Sequence, residues 1–168
     1  TIIDKTPNKN DLNTPSYVTF TPTLPEYAKN FENPIYIDTW SEDGQEYWFC
    51  SEEFALELAR QSMQIIADKM EGCGSMGEKN GPFYADFFDE YFLAGNAYAE
   101  SSFRICKTNG EHMKSKDNAC GMTQITEDAI NTLNKWLPET MDIHDTKYSM
   151  DDLLDPEKAM EISTLYYY

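Results

Sequence analysis

Basic residues are scarce in this chain. Thirteen lysines and arginines stand against thirty aspartates and glutamates, a formal net charge of −17 at neutral pH. A surface so charged repels nucleic-acid phosphates and anionic lipid, so neither is expected as a partner. Long apolar runs are also missing, and no stretch approaches the roughly twenty residues of a membrane-spanning helix. Histidine occurs only at His112 and His144, and the four cysteines, Cys50, Cys73, Cys106 and Cys120, include no C-x-x-C pair. These residues complete no zinc pattern, so no metal is expected. The cysteines form either disulfides, which imply an oxidising setting, or buried free thiols. No internal repeat is present, and no basic-then-apolar segment opens the sequence. An export signal is therefore expected to be removed or to lie outside it.

What is present suits a folded domain. Hydrophobic residues make up 40% of the 168 positions and aromatics 14%, enough for one apolar core. Residues 1 to about 33 carry Pro7, Pro15, Pro22 and Pro25 with little periodicity, and read as an extended arm wrapping the domain. Ile35, Ile37 and Thr39 alternate with Tyr36 and Asp38. Ser41-Glu42-Asp43-Gly44 then turns the chain into Glu46-Tyr47-Trp48-Phe49, a hairpin signal. Ser51 is positioned to cap a helix reaching about Met70, with Phe54, Leu58, Ile65 and Ile66 on one face. Four glycines from Gly72 to Gly81 interrupt the pattern, and Pro82 can open a second helix over roughly 83–103 with Phe88, Phe92, Ala99 and Phe103 as its stripe. A polar loop follows to Cys120. Thr126 caps a third helix expected to run through Trp136 and stop before Pro138, and Asp155-Pro156-Glu157 opens a fourth. The closing tyrosines sit in a helix that reads as unfinished, so the domain is expected to continue past Tyr168.

The chemistry concentrates at Ala97-Tyr98-Ala99-Glu100-Ser101-Ser102-Phe103, where a carboxylate sits near the end of an aromatic, apolar helix. Leu93, Asn96, Ala97, Phe103 and Arg104 are its neighbours at helical spacing. Desolvation by Leu93, Ala97 and Phe103 would disfavour the ionised form of Glu100, and Arg104 works against that shift if it lies close. An acid still protonated near neutral pH can donate a proton to a leaving glycosidic oxygen. Gly121-Met122-Thr123-Gln124 follows the loop, and Asp155-Pro156-Glu157 leads towards Tyr166.

In this order the three segments resemble the soluble lytic transglycosylase family, relatives of goose-type lysozyme. Glu100, Ser101 and Phe103 match the family's glutamate motif. Gly121, Met122 and Gln124 match the second, with Thr123 where an apolar residue is usual. Asp155, Pro156, Glu157 and Tyr166 match the third, with Ala159 and Ser163 in place of its Asn and Gly. The resemblance spans about residues 83–168, and the loop from Arg104 to Ala119 is longer than in simple members.

The resemblance implies a mainly α, lysozyme-like helical domain at 51–168, with the arm and hairpin of residues 1–50 packed on it. It implies cleavage of the β-1,4 bond between N-acetylmuramic acid and N-acetylglucosamine in peptidoglycan strands, without cofactor, in an extracytoplasmic setting such as periplasm, cell wall or phage particle. Membership of a larger wall-penetrating assembly fits the same setting. Glu100 is then the general acid and base. Ser101 lies near the acid and the substrate N-acetyl group, Gln124 and the backbone of Met122 contact a sugar, and Tyr166 lines the cleft. Two alternatives stay open: a non-enzymatic wall-binding or structural protein on the same fold, and a hydrolytic lysozyme or chitinase.

Two expectations follow from spacing. Cys106 and Cys120 bracket the loop between the acid and the glutamine motif and are expected to be joined, since closing about fifteen residues stabilises by roughly 3 kcal/mol. Cys50 with Cys73 is the implied second pair. A hydrolase needs a second carboxylate near the acid. Asp89 lies eleven residues back on the same helix, roughly 16 Å at about 1.5 Å per residue. Glu111 and Asp117 are the loop candidates, and Asp151 and Asp152 the remote ones. No dedicated second acid stands out, so a 1,6-anhydromuramic product is expected.

Overall fold

The computed structural model describes residues 18–70, 89–140 and 143–167. The chain is mainly helical with a small antiparallel sheet. In chain order it forms a 3-10 turn (Glu26–Asn30), β1 (Ile35–Thr39), β2 (Glu46–Cys50), α1 (Glu52–Met70), α2 (Glu90–Ser101), β3 (Arg104–Lys107), α3 (Glu127–Thr140), a second 3-10 turn (Met150–Leu154) and α4 (Pro156–Tyr167).

The expected hairpin forms, with Ile35 opposite Cys50, Ile37 opposite Trp48 and Thr39 opposite Glu46. Gly44 takes φ +69° in the turn, a conformation that costs most other residues strain. Alternation along the strands gives the sheet two apolar faces. Ile35, Ile37, Trp48 and Cys106 enter the main core. Tyr36, Tyr47 and Phe49 form a smaller cluster with Met113 on the other face, where Tyr36 stacks on Phe49 with ring centres 5.6 Å apart.

A third strand was not legible beforehand. β3 pairs with β2 through Tyr47–Lys107 and Trp48–Cys106, with an irregularity before Phe49–Arg104. Its four residues, Arg-Ile-Cys-Lys, are too few to display a two-residue period and read as the start of a polar loop. The strand joins the hairpin directly to the chain leaving α2, so the hairpin is built into the main core and does not sit outside the helical part.

That core gathers Phe54, Ala55 and Leu58 of α1, Leu93 and Ala97 of α2, and Met160 of α4. The arm contributes Leu24 and Ala28 and is pinned where the Trp48 indole donates to the Phe20 carbonyl at 2.6 Å. A second core lies between α3, α4 and the second 3-10 turn, around Leu133, Leu137, Leu153, Ile162 and Leu165. α4 serves both, since Met160 faces one and Ala159 and Ile162 the other.

Helix ends follow their caps, with two corrections. Ser51 accepts from the Phe54 amide at 3.2 Å, Thr126 from Ala129 at 3.2 Å and Asp155 from Glu157 at 2.9 Å, as the sequence suggests. α2 is different: the 83–88 part of the expected helix lies outside the described residues, and Asp89 caps the helix through the Phe92 amide at 2.8 Å. The helix ends at Ser101 because Ser102 and Phe103 turn left-handed, with φ +53° and +66°. Its buried face is Leu93, Ala94, Ala97 and Ser101, whereas Phe92 and Ala99 are exposed. α3 continues through Pro138 to Thr140. A proline so near the helix end forfeits little, and the Leu137 carbonyl is taken up by the Ile143 amide at 2.7 Å.

Candidate active site

Glu100 stands one residue before the end of α2, beside a cavity of about 850 Å³. The walls come from separate parts of the chain: Glu100 and Arg104 around the end of α2, Asp43 and Tyr47 of the hairpin, His112 of the long loop, and Gln124. Of the residues singled out in the sequence, Glu100 and Gln124 therefore share one cleft. Ser101 and Met122 lie beneath it. Tyr166 is 45% exposed, packs edge-on against Tyr167, and is not part of this wall.

Ser101 fixes the relation between the two motifs. It is buried, and its hydroxyl is within donating distance of the Met122 carbonyl at 2.6 Å and the Ala97 carbonyl at 3.1 Å. The Met122 side chain is fully buried, and its carbonyl is engaged by Ser101. Both residues thus hold the cleft's frame, and neither is part of the cavity wall. The adjoining turn is equally fixed. Gly121 has φ +76°, and a Cβ there would meet Leu153 at 2.9 Å. Thr123 is buried and donates to the Ala159 carbonyl at 3.2 Å. The polar substitution in the second motif thereby acquires a partner on α4. Gln124 is itself left-handed at φ +51°, and its side-chain amide donates to the Gly121 carbonyl at 3.0 Å. Ser102, Phe103 and Gln124 are all non-glycine residues with positive φ. Such strain persists where surrounding structure over-determines it, as functional sites do.

Glu100 is exposed, which corrects the expectation of an apolar pocket around it. Leu93 and Ala97 turn into the core, and Phe103 has left the helix to pack against Tyr98 at 5.3 Å.

Beside Glu100, Arg104 is held from three sides. Its Nε donates to the Ser101 carbonyl at 3.0 Å, and its guanidinium lies 4.0 Å from the ring centre of Trp40 and 5.1 Å from that of Tyr47. Tyr47 in turn donates its hydroxyl to Asp43. Burial first, and then the bond to Asp43, pushes the Tyr47 phenol up to about 12, with Arg104 opposing. Partial desolvation would raise the Asp43 carboxyl. The Tyr47 hydroxyl, the Gln45 amide and the Arg104 and Lys107 charges outweigh it and hold the group below the usual carboxylate range.

The remaining acids sort themselves clearly. Glu111 lines the cavity and pairs with Lys107 at 3.3 Å. Asp151 lines it beside His112, at 3.3 Å. Asp117 is not part of the wall, and Asp152 is engaged in capping the second 3-10 turn with Ser149. Asp43, Glu111 and Asp151 thus share the cleft with Glu100, which removes the ground for expecting no second acid. Asp43 was legible only as a turn residue and His112 only as one of two isolated histidines. Their place beside Glu100 depends on β3 drawing the hairpin against the end of α2.

Cys106 and Cys120 are both buried free thiols, so the expected disulfide between them is absent. Cys106 packs in the main core and Cys120 in the second one. The short bridges from Cys120 to Lys114 and Ile125 close the loop without a covalent link. Cys50 is likewise a buried free thiol, and its expected partner Cys73 lies outside the described residues. Among the described residues no cluster of potential metal ligands occurs, and no helix is long and apolar enough to cross a membrane. No protein-family model, curated protein or solved structure matches the chain.

Proposed function

We propose that the protein cleaves the glycan strands of peptidoglycan, breaking the β-1,4 bond between N-acetylmuramic acid and N-acetylglucosamine, with Glu100 as the proton-transfer group. The observation that carries this reading is the joining of Glu100 and Gln124 on one cleft wall by the buried Ser101–Met122 bond. It makes a single rigid unit of two segments that resemble lytic transglycosylase motifs, on a mainly helical chain with a small antiparallel sheet. A cleft of about 850 Å³ is within the usual range for a ligand site of several hundred cubic ångströms.

In this mechanism Glu100 gives its proton to the departing glycosidic oxygen, and the C1–O bond breaks. In the transglycosylase outcome the resulting carboxylate takes the proton from the muramic C6 hydroxyl as that oxygen bonds to C1, closing a 1,6-anhydro ring. The presence of Asp43, Glu111 and Asp151 on the same cleft opens a second outcome, hydrolysis. There one of these carboxylates activates water or bonds to C1. Wall cleavage implies action outside the cytoplasm, alone or within a larger wall-penetrating assembly. Clearing of purified peptidoglycan by the wild type but not by Glu100→Gln tests the activity. Borohydride reduction of the products separates the outcomes, since only a hydrolysed muramic end is reducible.

A further inference from the structure

We infer that Arg104 is a specificity residue that reads a carboxylate carried by the muramic sugar's substituent, and so separates acidic wall glycan from neutral N-acetylglucosamine polymers. The inference rests on the proposed glycan-cleaving function and adds the substrate group that the cleft recognises.

Three observations support it. The first is position: Arg104 shares the cleft wall with Glu100, four residues on. The second is rigidity. Stacking on Trp40 and Tyr47 and the bond from Nε to the Ser101 carbonyl fix the plane of the guanidinium. A fixed fork loses little entropy on meeting a planar carboxylate. The third is charge balance. Of the four acids on the wall, Glu111 pairs with Lys107, Asp151 lies 3.3 Å from His112, and Asp43 accepts the Tyr47 hydroxyl and feels the Arg104 charge without a direct ion pair to it. Arg104 and Lys114 enter none of the ion pairs formed among the described residues. In a chain of net charge −17, a held cation beside the proposed acid is local electrostatic complementarity that a neutral ligand would not use. The carboxylate has two sources with one chemistry: the free lactyl group of peptide-free strands, or the acidic stem peptide attached to it.

The test uses Glu100→Gln protein, to prevent turnover, with and without Arg104→Gln. Binding is measured calorimetrically to peptide-free muramyl tetrasaccharide, to its stem-peptide-bearing counterpart, and to neutral chitotetraose. Losing a charge-assisted pair should weaken at least one acidic oligomer about tenfold or more and leave chitotetraose within about twofold. Arg104→Lys, which keeps charge but not the fork, should recover only part. Selective loss on the peptide-free oligomer assigns the lactyl carboxylate, and selective loss on the other assigns the stem peptide. Equal weakening of all three ligands would make Arg104 a merely structural residue and overturn the inference, as would unchanged binding of both acidic oligomers. Arg104-dependent binding without any cleavage by the wild type would leave the inference standing and remove the proposed activity. No binding of any oligomer would refute both.

Discussion

Ser101→Ala removes one oxygen and tests whether the two motif segments form one unit. The lost hydroxyl is buried and reaches the Met122 carbonyl at 2.6 Å, with Ala97 at 3.1 Å. The Ala97 carbonyl is a helix acceptor with little need of Ser101. The Met122 carbonyl belongs to a fully buried residue and would lose this donor. A buried polar group left without its partner costs about 1–3 kcal/mol. For a chain of this size each 1 kcal/mol lowers the melting temperature by roughly 2–4 °C, so a fall of about 2–12 °C is expected. The loss also frees the Gly121–Gln124 turn relative to Glu100. Small misplacements of catalytic groups are disproportionately costly, so turnover on peptidoglycan should fall about tenfold or more at temperatures where the variant is fully folded. Calorimetric melting and a reducing-end or muropeptide assay read the two effects. A variant with unchanged melting temperature and unchanged turnover would refute the reasoning.

Other expectations are independent of that bond. Gly121→Ala forces an unfavourable positive φ and brings a Cβ within 2.9 Å of Leu153 side-chain and backbone atoms. It should destabilise by roughly 1–3 kcal/mol or more, and a melting temperature equal to wild type would contradict this. Asp155 caps α4, and burial pushes its carboxyl up against the pull of the Lys158 and Glu157 amides. A group raised in the folded state contributes stability that is full below its unfolded value, about 4, and is lost as pH rises through the folded one. Asp155→Asn keeps a good cap and should lack that pH slope, whereas Asp155→Ala should cost about 1 kcal/mol. Parallel wild-type and Asn profiles in urea melts across pH 3–7 would count against the burial of this carboxyl. Burial also pushes the Cys106 thiol up to about 12 and raises Cys50 and Cys120. All three should resist alkylation in native protein at pH 8 and react after denaturation, and recovery of a Cys106–Cys120 linked peptide would contradict the structure.

The helix caps and the hairpin were legible because their signals are local: Ser51, Thr126 and Asp155 act within three residues, and Asp43-Gly44 sets its own turn. The site was legible in part. Glu100 and Gln124 were found by motif, and geometry puts them on one wall. Ser101 and Met122 were expected near a ligand, but Ser101 extends the buried Leu93–Ala97 stripe by one more turn and points inward. The left-handed turn that follows at Ser102 and Phe103 carried no sequence signal, since neither residue is glycine. β3 was missed for its shortness, and with it Asp43 and Tyr47 as neighbours of Glu100, whereas Arg104 was legible beside it from helical spacing. The disulfide expectation failed because loop length measures the entropy gained on closure and says nothing of which core each thiol enters.

Digestion of purified peptidoglycan by wild type and Glu100→Gln, with products resolved by mass spectrometry, tests the central claim most directly. Glutamine is nearly isosteric but cannot exchange the proton, and general acid catalysis is worth roughly a hundredfold or more. The account predicts released muropeptides with wild type and at least about a hundredfold less with a folded Glu100→Gln. Equal release from both proteins, or none from either, would contradict it.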